Sequence, residues 1–473
     1  MALGKRKRES QAQLWVATQH LRAPGHPFYQ RLNQVLDKHG FDEFVEERCA
    51  TFYAEGVGRP GIPPGVYFRM LMIGYFEGID SEREIAWRVA DSLSLREFLG
   101  YELDQATPDH STVSRTRRLI DFQTHHEVFE WVLKVLATSN LLKGKTLGVD
   151  ATTLDANAAM RSIVRRDTGE SYEEFLTKLA KASGIETPTR EDLARIDKKR
   201  PKKASNKDWE HPHDPDARIT KTKDRRTHLA HKVETAVDMD TQAIVAVSLP
   251  SADEGDTESL PWTLVRTELN LEAVAQDPAA RKHLHPKPMS EVVTDKGYHS
   301  NEVLVDLKAS AIRSYISEPD RGRRDWKGKP EAQQAVYANR RRIRGNRGQA
   351  LRRKRGELLE RPYAHLFETG GMRRLFLRGR QNILKRLVIH VCGCNLGLVM
   401  RTLFGRGTPR GMRETFFLFS SLITQIFAPR RALSPPAVQL SGTARSSSPL
   451  AATRATKLRP SQIFPNGALA TGC

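Results

Sequence analysis

Apolar residues recur at helical spacing through roughly the first 140 positions. In 66–76 and 82–89 they fall three and four apart, which predicts two helices, the second preceded by Asp80-Ser81 with Glu84 at capping-box distance. A third helix is expected over 111–120, opened by Thr107-Pro108-Asp109 and rich in arginine on one side. A proline-glycine cluster at 58–65 separates the first helices from this group. At Leu147 the period changes. Leu147-Gly148-Val149-Asp150 reads as a short buried strand ending on an acid. Residues 160–227 are polar and charged, with a basic run at 198–203, and suggest an inserted helix or two and a partly disordered loop. Val233, Ala236 and Val237, the turn Asp238-Met239-Asp240-Thr241 and the run 244–249 carry a hairpin pattern without a diagnostic glycine. A helix at 257–271, a strand at 292–294 ending on Asp295, a helix at 301–310 and a strand at 313–317 follow, then a long basic helical region.

A hairpin beside strands joined by helices implies an α/β fold, a mixed sheet covered by helices. The expected organisation is a helical region over 1–140, an α/β domain over 145–405 with its charged insertion at about 160–227, and a disordered tail over 430–473 rich in Ser, Pro, Ala and Thr.

Charge narrows the partner. The formal net charge is +20 and the pI about 9.9, so a polyanion is expected, and nucleic acid fits best. A membrane fits poorly: no uninterrupted apolar stretch reads as long enough to span a bilayer, and the most apolar late segment, 415–427, is short and lies beside arginines. The basic first ten residues lead into no signal-peptide core, so a cytosolic protein is expected. The four cysteines, Cys49, Cys392, Cys394 and Cys473, make no disulfide framework. Cys392 and Cys394 sit in an apolar helical run and read as small buried side chains, while His211 and His213 read as loop residues and not zinc ligands.

The acids after the predicted strands carry the chemistry. Mg²⁺ prefers carboxylate oxygen and water, and two such ions can activate an attacking hydroxyl and stabilise the leaving oxygen of a phosphodiester. That site needs acids from distant parts of the chain on rigid elements. Asp150 and Asp295 on neighbouring strands meet the need, with Glu360 from a packed helix as the candidate third acid. On spacing alone, strand-end acids are equally ordinary turn residues.

From Thr51 to about Arg401 the chain resembles a bacterial insertion-sequence transposase of the acidic-triad (DDE) superfamily, with a helical N-terminal transposase domain and a ribonuclease H-like catalytic domain. The blocks are Gly58-Arg59-Pro60 through Ser81-Glu82-Arg83-Glu84, Leu95-Arg96-Glu97-Phe98-Leu99-Gly100 and Asp109-His110-Ser111-Thr112-Val113-Ser114-Arg115. Val149-Asp150-Ala151-Thr152, Asp295-Lys296-Gly297-Tyr298, Glu360-Arg361-Pro362-Tyr363-Ala364-His365 and Thr369-Gly370-Gly371-Met372-Arg373-Arg374 follow in the same order. The resemblance implies that Asp150, Asp295 and Glu360 hold two Mg²⁺ or Mn²⁺ ions. It also implies cleavage at the ends of a mobile element followed by strand transfer into target DNA, a homodimer on terminal inverted repeats, and a place at the bacterial nucleoid. The glutamate signature departs from the related pattern: Gly356 and Phe367 stand where an arginine and a lysine are expected, with Arg355 and Arg373 as substitutes and Glu357 and Glu368 as rivals. Asp256, in Ala252-Asp253-Glu254-Gly255-Asp256-Thr257, also resembles a family motif, but it precedes a helix and reads as a nearby polar or capping residue.

Two basic regions are assigned to DNA. Arg340, Arg341, Arg352, Arg353 and Arg355, joined by Arg373 and Arg374, are expected on phosphates; a solvated helix face is the plainer reading. Ser111, Ser114, Arg115 and Arg118 are placed on a recognition helix, against the plainer reading of a scaffold helix. A metal-dependent nuclease that does not join DNA and a catalytically impaired DNA-binding remnant are the alternatives.

Overall fold

The computed structural model describes residues 25–54, 61–200, 204–221, 227–320, 322 and 324–412. The tail expected to be disordered, the apolar segment at 415–427, Cys473 and parts of the 58–65 and 198–203 runs lie outside the described residues.

Among those residues seven α-helices precede the first strand: α1 (Pro27–Lys38), α2 (Phe41–Cys49), α3 (Pro64–Glu77), α4 (Glu82–Ala90), α5 (Leu93–Phe98), α6 (His110–Leu119) and α7 (Phe122–Thr138). Local chemistry sets their starts. Ser81, Ser92, Asp109 and Asp121 each accept the backbone N–H three residues on, satisfying a donor that a helix start leaves orphaned. The first strand, β1 (Thr146–Asp155), is followed by β2 (Val164–Arg165), α8 (Tyr172–Ala182), α9 (Arg190–Lys199), β3 (Trp209–Glu210) and β4 (Arg218–Lys221). These short elements form the insertion, gathered on a small apolar cluster with Ile163, Trp209 and Leu229. Then come the hairpin β5 (Thr227–Asp238) and β6 (Ile244–Ser248), α10 (Asp256–Ala275), α11 (Pro278–Arg281), β7 (Glu291–Thr294), α12 (Asn301–Ala309) and β8 (Arg313–Ile316). The chain continues through α13 (Pro330–Arg344), α14 (Asn346–Tyr363) and α15 (Arg380–Phe404).

The six-stranded sheet is mixed, in the order β4-β5-β1-β7-β8, with β6 also paired to β5. β1 runs antiparallel to β5 and parallel to β7, and β7 is parallel to β8. The expected α/β class, a mixed sheet flanked by helices after a helical N-terminal region, is what the structure shows. β1 is longer than the sequence pattern suggests. Its polar second half pairs with β5 as far as Asp155↔Ala230, so Asp150 lies inside the strand and not at its end. The parallel ladder with β7, in contrast, is recorded only through Gly148↔Val293.

The two sheet faces are covered by different helices. Alternation along β5 puts Thr235 on one face and Glu234 on the other. Tyr363 of α14 bonds Thr235, whereas Ser259 and Thr263 of α10 bond Glu234. α15 ties the helical region to the sheet. Its Asn395 exchanges two hydrogen bonds with the Ile244 backbone. Its buried Arg386 donates to the carbonyls of Leu71, within α3, and Ile79, just past its end, and Lys385 donates to those of Arg117 and Ile120 at the end of α6, where carbonyls lack helical partners. The span Arg380–Met412 is, by length and composition, long and apolar enough to cross a membrane, which corrects the reading that no such stretch exists. It is 67% buried against the rest of the protein, as a core helix is. Cys392 is buried and Cys394 half-buried on this helix, both free thiols, as their apolar surroundings suggest.

Candidate functional site

The parallel register aligns Gly148 of β1 with Val293 of β7. Asp150 lies two residues further along β1 and Asp295 follows the end of β7 directly, so the register brings the two acids to the same end of β7. Asp150 is mostly buried, its side chain 22% exposed. Burial, with the neighbouring Asp295 and Asp256 carboxylates, pushes its carboxyl up to about 6, against the opposing pull of the Ala151 N–H and of Arg355. Arg355 Nη1 lies 3.4 Å from Asp150 Oδ2. Asp295 caps a short 3₁₀ turn, Lys296–Tyr298, by accepting the Gly297 N–H at 2.8 Å.

Asp256, the first residue of α10, stands near the two acids, as the sequence reading of a nearby polar residue has it. A Cβ at Gly297 would stand 2.7 Å from Asp256 Oδ2 and 3.1 Å from Asp295 Oδ1, so both carboxylates close on the same turn. The other Asp256 oxygen is held by Lys232 Nζ at 2.7 Å.

α14 covers the face that presents Asp150. Leu359 meets Gly148, and Tyr363 accepts from Thr235 Oγ1 at 2.9 Å while donating to the Asp150 carbonyl. Glu360 follows Leu359 on the same helix and is exposed; among the described residues no hydrogen bond or ion pair links it to Asp150 or Asp295. Among the described residues, too, no group of three or more His, Cys, Asp or Glu side chains stands in metal-holding geometry. Mg²⁺ is commonly held by one or two carboxylates with water completing its shell, so the Asp150–Asp295 pair, all oxygen and repelled by its own charge, fits a hard divalent cation.

The residues assigned to DNA divide into exposed and engaged groups. On α6, Arg115 and Arg118 are exposed. Ser111 donates to the capping Asp109 at 2.8 Å, and Ser114 accepts from Arg117, which is itself locked to Glu82 and Asn382. Arg341, Arg352, Arg353 and Arg374 are exposed. Arg340 makes a two-pronged pair with Glu318 at 2.6 and 2.8 Å. Arg373 binds Glu368, Thr152 and the Thr153 carbonyl, beside the point where the Arg373 and Leu375 backbones pair with Asp155. His211 lies in a loop, as expected, and is buried.

Sequence reasoning does not single out Lys232 and Glu234. The signal for them is two opposite charges two residues apart on one face of a strand otherwise rich in apolar residues.

Residues 16–119 match the family model of a transposase domain, DUF772. The match takes in α1 through α6 and supports a transposase, for which DNA is the partner. No curated protein matches the chain.

Proposed function

We propose that this chain is a DNA transposase of the acidic-triad superfamily, making metal-dependent cuts at the ends of a mobile element and joining them to target DNA. The observation that carries the reading is that Asp150, inside β1, and Asp295, directly after the parallel neighbour β7, lie close enough for the Asp295 charge to raise the Asp150 carboxyl, in a chain whose first helices match a transposase domain. The order β6-β5-β1-β7-β8, with the first three strands antiparallel and the last two parallel to β1, supports a ribonuclease H-like catalytic domain.

In this reading Asp150 and Asp295 hold Mg²⁺ or Mn²⁺, and Glu360, on the helix that covers them, supplies the third carboxylate. Bound there, the ions supply activation of the attacking oxygen and charge stabilisation of the leaving one. Asp256 is a neighbour and not a ligand, because Lys232 already neutralises one of its oxygens. Arg355 offsets charge on Asp150, and the exposed Arg352 and Arg353 on the same helix meet phosphates. Two protomers holding two DNA ends follow from the family resemblance.

The test uses the purified chain and duplexes carrying the DNA that flanks its reading frame. Mg²⁺-dependent nicking is expected from the parent and lost in Asp150→Asn and Asp295→Asn, with DNA binding retained. A pre-cleaved duplex with a free 3′-hydroxyl should yield joined product; hydrolysis without joining would mark a nuclease. Glu360→Gln should abolish cleavage and Asp256→Asn should spare most of it. The reverse pattern would move the third role to Asp256, the reading that its approach to Gly297 favours.

A further inference from the structure

The sheet face opposite α14 buries two charges that the proposed chemistry leaves unused. Glu234 is fully buried, and three hydroxyls converge on it. Tyr298 Oη and Ser259 Oγ each donate at 2.9 Å, and Thr263 donates to the second oxygen. Lys232, 5% exposed, donates to Ser259 Oγ at 3.1 Å and to the Glu254 carbonyl at 3.0 Å while pairing with Asp256. One continuous network therefore runs Asp256, Lys232, Ser259, Glu234, Tyr298. Replacing such a buried ionic network by apolar residues is often neutral or stabilising, so its presence is better explained by the geometry it fixes than by the stability it adds.

The network reaches the site through one turn. Tyr298 closes the three-residue turn that Asp295 caps, so Asp295 is held on one side by β7 and on the other by whatever anchors Tyr298. The Tyr298 ring is 1% exposed, and its hydroxyl meets the buried Glu234 carboxylate. Burial and that carboxylate raise the phenol well above its usual range, which keeps it a donor.

We infer that Glu234 is a positioning residue: by accepting the Tyr298 hydroxyl it fixes the turn that Asp295 caps beside Asp150, while Lys232 holds one oxygen of the neighbouring Asp256. The inference rests on the reading of Asp150 and Asp295 as a divalent-cation pair. It assigns Tyr298 and Glu234 an effect on cation affinity that a purely structural role would not produce.

The measurement is Mn²⁺ binding to the full chain, read from the paramagnetic resonance signal of the free ion, with a melting curve for each variant. Tyr298→Phe keeps the ring and removes one hydroxyl; it should weaken Mn²⁺ binding by roughly 10-fold, the lower end of what partners behind a ligand contribute. Glu234→Ala should do the same. Glu234→Gln, whose amide oxygen still accepts from Tyr298, should bind within about 3-fold of the parent, since the orienting hydrogen bond survives. Asp295→Asn should lose binding outright. If Tyr298→Phe binds Mn²⁺ as the parent does while Asp295→Asn fails, the positioning role is overturned and the cation pair stands. If Asp295→Asn binds as the parent does, the cation reading falls and takes the inference with it. Should Glu234→Ala not fold, Tyr298→Phe alone decides.

Discussion

Asp150 is a carboxylate held where its charged form is disfavoured. Burial comes first, and the Asp295 and Asp256 carboxylates add to it, while the Ala151 N–H and Arg355 pull the other way, leaving the group titrating at about 6. A folded-state value above the unfolded one means that the folded protein binds this proton more tightly. The ionised form is therefore a cost to stability, absent at acid pH, growing above about pH 4 and complete above about pH 6. Asp150→Asn removes it. In the absence of divalent ions this variant should be more stable than the parent by about 2–3 kcal/mol at pH 8, a rise of a few degrees in melting temperature, and the gain should vanish near pH 4. A melting temperature below the parent's at pH 8 would show that Arg355 and the Ala151 N–H outweigh desolvation. Asp150 and Asp295 were legible in the sequence because short apolar runs ending on acids stand out from their surroundings. Lys232 and Glu234 were not, because nothing in a linear pattern distinguishes a charge on a solvated strand face from one buried under α10.

At the scale of elements, glycines separate helix propensity from backbone geometry. Gly356 lies inside α14, and a Cβ there would meet open space. Gly356→Ala should stabilise the protein by about 0.5–1 kcal/mol, because alanine loses less backbone freedom on forming a helix. Gly371 is the opposite case. Its φ is +80°, and a Cβ would stand 2.6 Å from the Gly78 carbonyl oxygen, where the left-handed end of α3 meets the segment after α14. Gly371→Ala should destabilise by about 1–3 kcal/mol or more, since both strain and a backbone clash must be relieved. Paired melting curves check the opposite signs. α3, α4, α6, α10, α12 and every strand of the sheet but β4 were visible in apolar period and caps, since Ser81 and Asp109 sit where their sequences place them; β4 falls in the charged stretch read as helices and a loop. The length of β1 was not, because Asp150-Ala151-Thr152-Thr153 is polar and stays in the sheet only through its long pairing with β5. The relation of Glu360 to the acids was equally hidden. Leu359, Tyr363 and Arg355 face β1, and that choice is made by packing over Gly148 and not by the helix's own period.

The whole molecule carries a net charge of +20, and the fold decides which part of that excess is available to a polyanion. Arg340, Arg347 and Arg117 are committed to Glu318, Glu291 and Glu82, whereas Arg352, Arg353 and Lys354 form an exposed row on α14, the helix that also covers Asp150. Binding a phosphate releases counterions without reading bases, so it weakens with salt and does so equally on every sequence. Replacing Arg352 and Arg353 with alanine should therefore lower affinity for flanking and scrambled duplexes alike and reduce the slope of log affinity against log salt by about 2, one for each phosphate no longer neutralised. α6 predicts a different outcome. Its Arg115 and Arg118 are exposed, while Arg117, Glu82 and Lys385 tie the helix to the core. An exposed arginine pair on a capped helix suits entry into a major groove, where base edges and not phosphates set the specificity. Arg115→Ala with Arg118→Ala should cost about 1–3 kcal/mol on the flanking duplex for each base edge no longer read and much less on the scrambled one. Binding measured at several salt concentrations on both duplexes tells the two surfaces apart. An equal loss on both DNAs from the α6 changes would make that helix a second phosphate clamp, leaving base recognition to another element and the carboxylate pair untouched.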